Sequence, residues 1–280
     1  MNHISIYIEN INTEQQEILI ACLSDFGFDG FEEGADFLNA FILKKNYDKS
    51  MVTEWLQEFG VNFIEAEVVE ENWNANWESQ FQPITVFRPQ SSLPFCTVRA
   101  DFHEKELSSQ LDILINPKMS FGTGHHATTY LMMEQMSIME FKDKQVMDFG
   151  TGTGILAILA EKLGSEHIYA FDHDDWSINN AKENIAQNQC KRITLEKQST
   201  YTGDSEQYDV VLANINLNII LEHLTPIINA VKIGGEILFS GILPEDVDGL
   251  TIEIERQGGV IAKVNTRNNW ALMVVKRLKK

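Results

Sequence analysis

VMDFGTGTGIL, residues Val146–Leu156, decides how this chain is to be read. An apolar run passes through Asp148 and ends at Phe149, as a buried strand does. Gly150, Gly152 and Gly154 then alternate with threonines, and an apolar helical pattern opens at Ile155. Glycine lets a backbone turn through positive φ and approach a ligand with no Cβ in the way. The helix that follows turns its free amides, and the positive end of its dipole, toward whatever lies over the loop. Nicotinamide, flavin and S-adenosylmethionine proteins all use such a turn. The spacing here is GxGxG, not the GxGxxG of the dinucleotide fingerprint, which favours S-adenosylmethionine.

A second signal lies downstream. Ile168 to Phe171 form a short apolar strand ending at Asp172, followed by His173, Asp174, Asp175 and the helical run WSINNAKENIAQN. An acid about twenty residues beyond the glycine loop is placed to accept hydrogen bonds from ribose hydroxyls. Such a bond contributes about 1.5–3 kcal/mol. The alternative role for Asp172, a turn or helix cap, suits Asp174 better, because the helical pattern starts just after it. Two more stretches stand out. In PKMSFGTGHHATT (Pro117–Thr129), Phe121, Gly122 and Gly124 precede a helix expected near His126, and Thr128 and Thr129 fall in its first turn. His125 and His126 invite a metal reading, but adjacent helical positions do not face one another and no HExxH or third ligand accompanies them. Packing or capping suits them better. In DVVLANINLNII, a strand ends at Asn214, where ligands bind in open α/β sheets.

The 280 residues suffice for one large domain and a small one. No apolar run has the length of a membrane helix, and MNHISIYIEN lacks a basic-then-apolar leader, so a cytoplasmic protein is expected. Cys22, Cys96 and Cys190 are scattered, suggesting neither a disulfide framework nor a zinc site. The net charge of −19 repels phosphate backbones, so direct nucleic-acid binding is disfavoured and a basic protein partner fits better.

Residues 2–9 alternate as a half-buried strand. Thr13–Phe26 reads as an amphipathic helix with Ile18, Leu19, Cys22 and Leu23 on one face. With strands near Phe28–Phe31, Phe37–Leu43 and Asn62–Val69, and a helix near Met51–Phe59, the order is βαββαβ, a ferredoxin-like α+β domain over residues 1–69. A Trp-rich linker (70–90) follows, in which Trp73, Trp77 and Phe81 recur at helical spacing. A strand is expected near Thr85–Arg88 at the linker's end and, in the larger domain from residue 91 to 280, further strands near Cys96–Ala100 and Leu111–Ile115. A doubly wound core follows, with strands near Gln145–Phe149, His167–Phe171, Ile193–Glu196, Asp209–Ala213 and Glu236–Ser240. Helices alternating with these five imply a mostly parallel sheet covered on both faces. Val260–Thr266 and Trp270–Lys276 close it as a hairpin. The fold class is therefore α/β, a Rossmann-like seven-stranded sheet with a small α+β domain, the arrangement of class I methyltransferases.

FGTGHHATT, DFGTGTGIL, AFDHD and ANINLNII together resemble the ribosomal protein L-eleven methyltransferase family, over essentially the whole chain including the terminal NNWALMVVKR. The resemblance implies that S-adenosylmethionine is held by Thr129, Gly150, Asp172 and Asn214, with Gly152 and Asp148 in the same loop and Phe121 and Gly122 closing over it. It also implies that the N-terminal domain captures the basic ribosomal protein; from the residues themselves no metal, direct nucleic-acid or membrane partner is expected, and a monomer is expected. Asn214 and Thr129 are the candidates to orient the accepting amine, and a relay by His125 or His126 is the weaker reading of those side chains. A lysine amine costs about 4 kcal/mol to deprotonate near neutral pH, an α-amine about 1 kcal/mol. The chain lacks the Asn-Pro-Pro-aromatic sequence common in enzymes for planar nitrogens. Alternatives left open are a methyltransferase for another protein or a small molecule, a non-catalytic S-adenosylmethionine module and an NAD-dependent oxidoreductase.

Overall fold

Alternate isoleucines in β1 (His3–Glu9) put Ile4, Ile6 and Ile8 on one buried face. The computed structural model describes residues 3–68, 82–105, 108–116, 118 and 120–278; the aromatic linker face expected at Trp73, Trp77 and Phe81 lies outside them. β1 pairs antiparallel with β3 (Phe37–Leu43) and β4 (Phe63–Val68), and β3 with β2 (Gly30–Glu33), in the order β2-β3-β1-β4. α1 (Thr13–Asp25) and α2 (Lys49–Phe59) place Leu19, Leu23, Val52 and Leu56 in the same core. The order is βαββαβ. Asn12 and Gln15 form a reciprocal capping box at the start of α1, with bonds of 2.9 and 3.0 Å. The face of α1 differs from expectation. Ile18 is 44% exposed, and the buried stripe runs Gln16, Leu19, Leu23. Gln16 can be buried because its amide donates to the carbonyls of Gly34 and Phe37, which satisfies a group otherwise expensive to desolvate.

The chain divides into two compact units, Met1–Gln80 and Phe81–Lys280. The second holds a three-stranded sheet of β5 (Ile84–Phe87), β6 (Pro94–Arg99) and β7 (Leu111–Leu114), with β7 on an edge. Its main sheet has seven strands: β8 (Gln145–Phe149), β9 (His167–Asp172), β10 (Ile193–Lys197), β11 (Tyr208–Asn214), β12 (Val231–Ile242), β13 (Gly259–Arg267) and β14 (Trp270–Arg277). They lie in the order β10-β9-β8-β11-β12-β14-β13, all parallel except β14, which runs against both its neighbours.

Neighbouring residues on these strands point to opposite faces, and both faces are apolar. Val146, Val210 and Leu238 enter one core with α3 (Ala127–Met136) and α4 (Ile155–Lys162). Met147, Val211 and Ile237 enter the other with α6 (Leu217–Ala230) and α7 (Val247–Arg256). Strands buried on both sides must be apolar throughout, which is why they read as continuous hydrophobic runs. α5 (Asp175–Gln187) packs against β9 and β10. One expectation fails. Residues 198–207, between β10 and β11, contain no helix. That segment is short and polar, and its one large ring, Tyr201, is buried edge-on against Tyr208 at 5.7 Å. A single aromatic anchor fixes a crossover that has no apolar stripe with which to dock a helix.

Candidate active site

β8 lies between β9 and β11, and the chain direction of winding reverses there. The carboxyl ends of the parallel strands at such a switch point open into a crevice. In this chain the crevice is a cavity of about 590 Å³, within the ~300–1,000 Å³ usual for cofactor pockets. Phe121, Gly150, Gly152, Asp172 and Asn214 all line it.

Asp172, at the end of β9, is 8% exposed. Its Oδ2 accepts the Gly152 amide at 2.9 Å and its Oδ1 the Asp174 amide at 3.1 Å. Each carboxylate oxygen has acceptor capacity beyond these bonds, His173 Nδ1 lies 3.4 Å from Oδ1, and both residues line the cavity. Asp174 is the cap of α5, accepting the Ser177 amide at 2.9 Å. Gly152 has φ of +55°, and a Cβ there would stand 2.3 Å from the Phe121 carbonyl oxygen. That closeness comes from two bonds lacing the glycine loops together. Thr153 donates its amide to the Phe121 carbonyl at 3.0 Å and its hydroxyl to the Gly122 carbonyl at 2.5 Å.

On the far side, Asn214 ends β11. Its Nδ2 donates to Thr129 Oγ1 at 3.3 Å, and Thr129 is fully buried. The Asn214 Oδ1 is buried with no hydrogen-bond partner among the described residues. Leaving a buried carbonyl unpaired costs roughly 1–3 kcal/mol, so its retention at a cavity wall points to a ligand N–H or O–H. His126 caps α3, and its ring meets Phe121 at 5.1 Å and Trp270 at 4.8 Å, both edge-on. Partial burial pushes the neighbouring His125 imidazole below its usual pKa, opposed by backbone contacts with Gln82 and Thr123.

Three candidates stand back from the cavity. Gly122 supports the loop through its carbonyl, and Thr129 holds Asn214 from behind, while Thr128 lines the cavity instead. Asp148 lies beneath the loop, 1% exposed, and accepts the Thr151 hydroxyl at 2.6 Å. A strand-end acid turned inward braces the turn and does not reach the crevice. Ile215, next to Asn214 in the ANINLNII stretch, also lines it, as do Gly241, His223 and Trp270, which were not candidates from the sequence. A glycine directly after strand residue Ser240 was a usable signal for Gly241, whose φ is +86°. Trp270 carried none, because the hairpin brings it to His126 from a distant part of the chain. Among the described residues no group of three His, Cys, Asp or Glu is arranged to hold a metal.

The cavity fits S-adenosylmethionine. Asp172 offers acceptors for vicinal hydroxyls, the glycine turn admits a close-lying chain, and Phe171, Ile215 and Ile219 give an apolar wall for a base. The sequence profile of the family described as "Ribosomal protein L11 methyltransferase (PrmA)" matches residues 11–278. The chain belongs to this family. Curated members of the ribosomal protein L11 methyltransferase family include one from Porphyromonas gingivalis, 37% identical over 263 residues, covering 92% of this chain and 89% of its own length. A second, from Chlorobaculum parvum, is 36% identical over 283 residues, covering 96% and 94%. A crystal structure of ribosomal protein L11 methylase from Lactobacillus delbrueckii subsp. bulgaricus superposes with a TM-score of 0.61 at 27% identity, covering 69% of this chain and 98% of that one. The fold is that of the class I methyltransferases.

Proposed function

We propose that this protein transfers methyl groups from S-adenosylmethionine to amino groups of ribosomal protein L11, on lysine side chains, the N-terminal amine or both. Family membership over residues 11–278 supports the substrate and the reaction. The observation that carries the chemistry is that Asn214 lines the cavity and its Oδ1 has no hydrogen-bond partner among the described residues. When bound, S-adenosylmethionine supplies an electrophilic sulfonium methyl, which an amine takes only through a free lone pair. Asn214 accepts an amine N–H and so turns that lone pair toward the cavity. Thr129 fixes the amide of Asn214 at 3.3 Å, so the acceptor is pre-oriented. Phe121 and Trp270, meeting across His126, line the cavity and limit water access to the amine. A desolvated amine favours its neutral form, which offsets part of the ~4 kcal/mol a lysine needs to lose its proton near pH 7.

The protein substrate is captured by the N-terminal α+β domain, and the net charge of −19 speeds encounter with a basic partner. The enzyme acts as a cytoplasmic monomer, without metal. The test is transfer of tritiated methyl from S-adenosylmethionine to ribosomal proteins of a strain lacking the enzyme, read by gel and intact mass. One labelled band at the mass of ribosomal protein L11, shifted by whole methyl units, is expected. Label on another protein, or none with the cofactor bound, would overturn the substrate or the reaction respectively. Peptide mapping then distinguishes lysine from the terminal amine.

Two substitutions probe the roles assigned. Asn214→Ala is expected to lower kcat about a hundredfold, the magnitude of losing one oriented hydrogen bond at a reacting centre, about 2.7 kcal/mol. Single-turnover kinetics at saturating cofactor check it, and an unchanged rate removes Asn214 from the reaction. Asp172→Ala is expected to weaken S-adenosylmethionine binding by about 1.5–3 kcal/mol, or roughly 10–150-fold, through lost ribose acceptors. Calorimetric titration with the cofactor decides, and retained affinity contradicts the assignment.

A further inference from the structure

Asn184 is an unexpected residue for its place. It sits inside α5 and is fully buried, yet asparagine is a poor helix former and an amide without partners is costly to bury. Its side chain is fully engaged. Oδ1 accepts the Asn116 amide at 3.1 Å, and Nδ2 donates to the Thr153 carbonyl and to Asn180 Oδ1, each at 2.9 Å. Asn188, one turn on, accepts the Leu114 amide at 3.0 Å and donates to the Leu114 carbonyl at 2.7 Å. Asn180, one turn before, donates to the Asn116 carbonyl at 3.5 Å.

Positions four apart stack on one helix face, and alternate residues of a strand turn their backbone groups to one side. Two asparagines on α5 and the one that caps its end therefore serve the edge of β7 and its extension to Asn116, where no neighbour strand pairs among the described residues. Outside its own helix, where it donates to the Asn184 carbonyl at 2.9 Å, Asn188 bonds that edge and does not bond the glycine loop. Asn184 serves the edge too, and reaches the glycine loop as well.

Thr153 is the joint. Its amide and hydroxyl hold the carbonyls of Phe121 and Gly122, and its own carbonyl is held by Asn184. Asn184 thus grips both the chain that leads toward Phe121 and the loop on which Phe121 rests. We propose that Asn184 is a positioning residue for the cofactor site, locking the glycine loop to the segment that carries Phe121 so that the two present one preformed surface to S-adenosylmethionine. The inference rests on the reading of this cavity as the S-adenosylmethionine site.

The test compares Asn184→Ala with Asn188→Ala in the full-length protein, by thermal unfolding and by calorimetric titration with S-adenosylmethionine. Both variants remove two strand-edge or inter-loop bonds and should lower Tm to a similar extent. Only Asn184→Ala should raise the S-adenosylmethionine Kd, by tenfold or more, while Asn188→Ala stays within about threefold of the parent. Should Asn184→Ala fail to fold, Asn184→Ser carries the same expectation, since the shorter side chain lacks the amide that donates to the Thr153 carbonyl. Equal shifts in Kd for both positions, or no shift for Asn184, overturn the proposal and leave the ladder purely structural. A parent protein that does not bind S-adenosylmethionine defeats the functional reading itself, and this inference with it.

Discussion

Gly152→Ala is expected to weaken S-adenosylmethionine binding on the order of a thousandfold, about 4 kcal/mol. Two effects combine. The backbone at +55° disfavours any Cβ by about 1–2 kcal/mol. The added carbon would also lie 2.3 Å from the Phe121 carbonyl oxygen, a distance that no side-chain adjustment relieves because both atoms belong to backbone or its first branch. The loop must move. In moving it draws the Gly152 amide from Asp172, at 2.9 Å, and disturbs the Thr153 bond to Phe121, at 3.0 Å. Gly234→Ala is the matched control. Its φ is +82°, but nothing lies within 4 Å of the new Cβ, so it should reduce stability by about 1 kcal/mol and leave the cofactor Kd alone. Titration of both variants with S-adenosylmethionine separates strain from collision. Gly152→Ala binding within threefold of the parent would refute the interlocked-loop account.

Asp148→Asn is expected to flatten the pH dependence of stability, removing a loss on the order of 4 kcal/mol that the parent suffers between about pH 4 and 8. Complete burial pushes the Asp148 carboxyl up to about 7, with the charge of Asp172 adding to the rise and the Thr151 hydroxyl and Ala157 amide opposing it. A carboxyl raised in the folded state is protonated there at pH values where the unfolded chain has already lost its proton. The unfolded state therefore gains relative to the folded one as pH rises from about 4. The contribution is fully present below about 4 and is lost on approaching 7. Asparagine cannot ionise, so the variant should show no such decline, whatever constant offset comes from its single oxygen serving only one of the Thr151 hydroxyl and the Ala157 amide. Urea denaturation of both proteins from pH 4 to 8 provides the check. The difference between them should open across that interval and level off above it; parallel profiles would show that Asp148 does not titrate in it.

The local features were legible from residue order. A glycine loop between an apolar strand and a helix, an acid at the end of the next strand, and alternation in Ile4, Ile6 and Ile8 are short-range patterns. Their periods of two or 3.6 residues, or their requirement for positive φ, act within a few residues. The same holds for the cap Asp174, whose side chain bonds the amide three residues on; Asn12 and Asp48, not singled out in the sequence, cap α1 and α2 by bonds of equally short range. Where local pattern was ambiguous, tertiary packing decided. Ile18 suits either face of α1, and the carbonyls of Gly34 and Phe37 drew Gln16 inward in its place.

By itself, the sequence determined the sheet of alternating strands and helices, the closing hairpin, the glycine loop and the acid that accompanies it, because each is dictated by backbone sterics and hydrophobic periodicity over neighbouring residues. Only the tertiary structure decided that Asp148 supports the loop while Asp172 faces the cavity. It also joined His126 to Trp270, left Asn214 Oδ1 unpaired among the described residues, and set Asn184 against both Asn116 and Thr153. Those contacts join segments far apart in the chain, and a side chain's partner across such a distance is set by how whole elements pack, which no local period records.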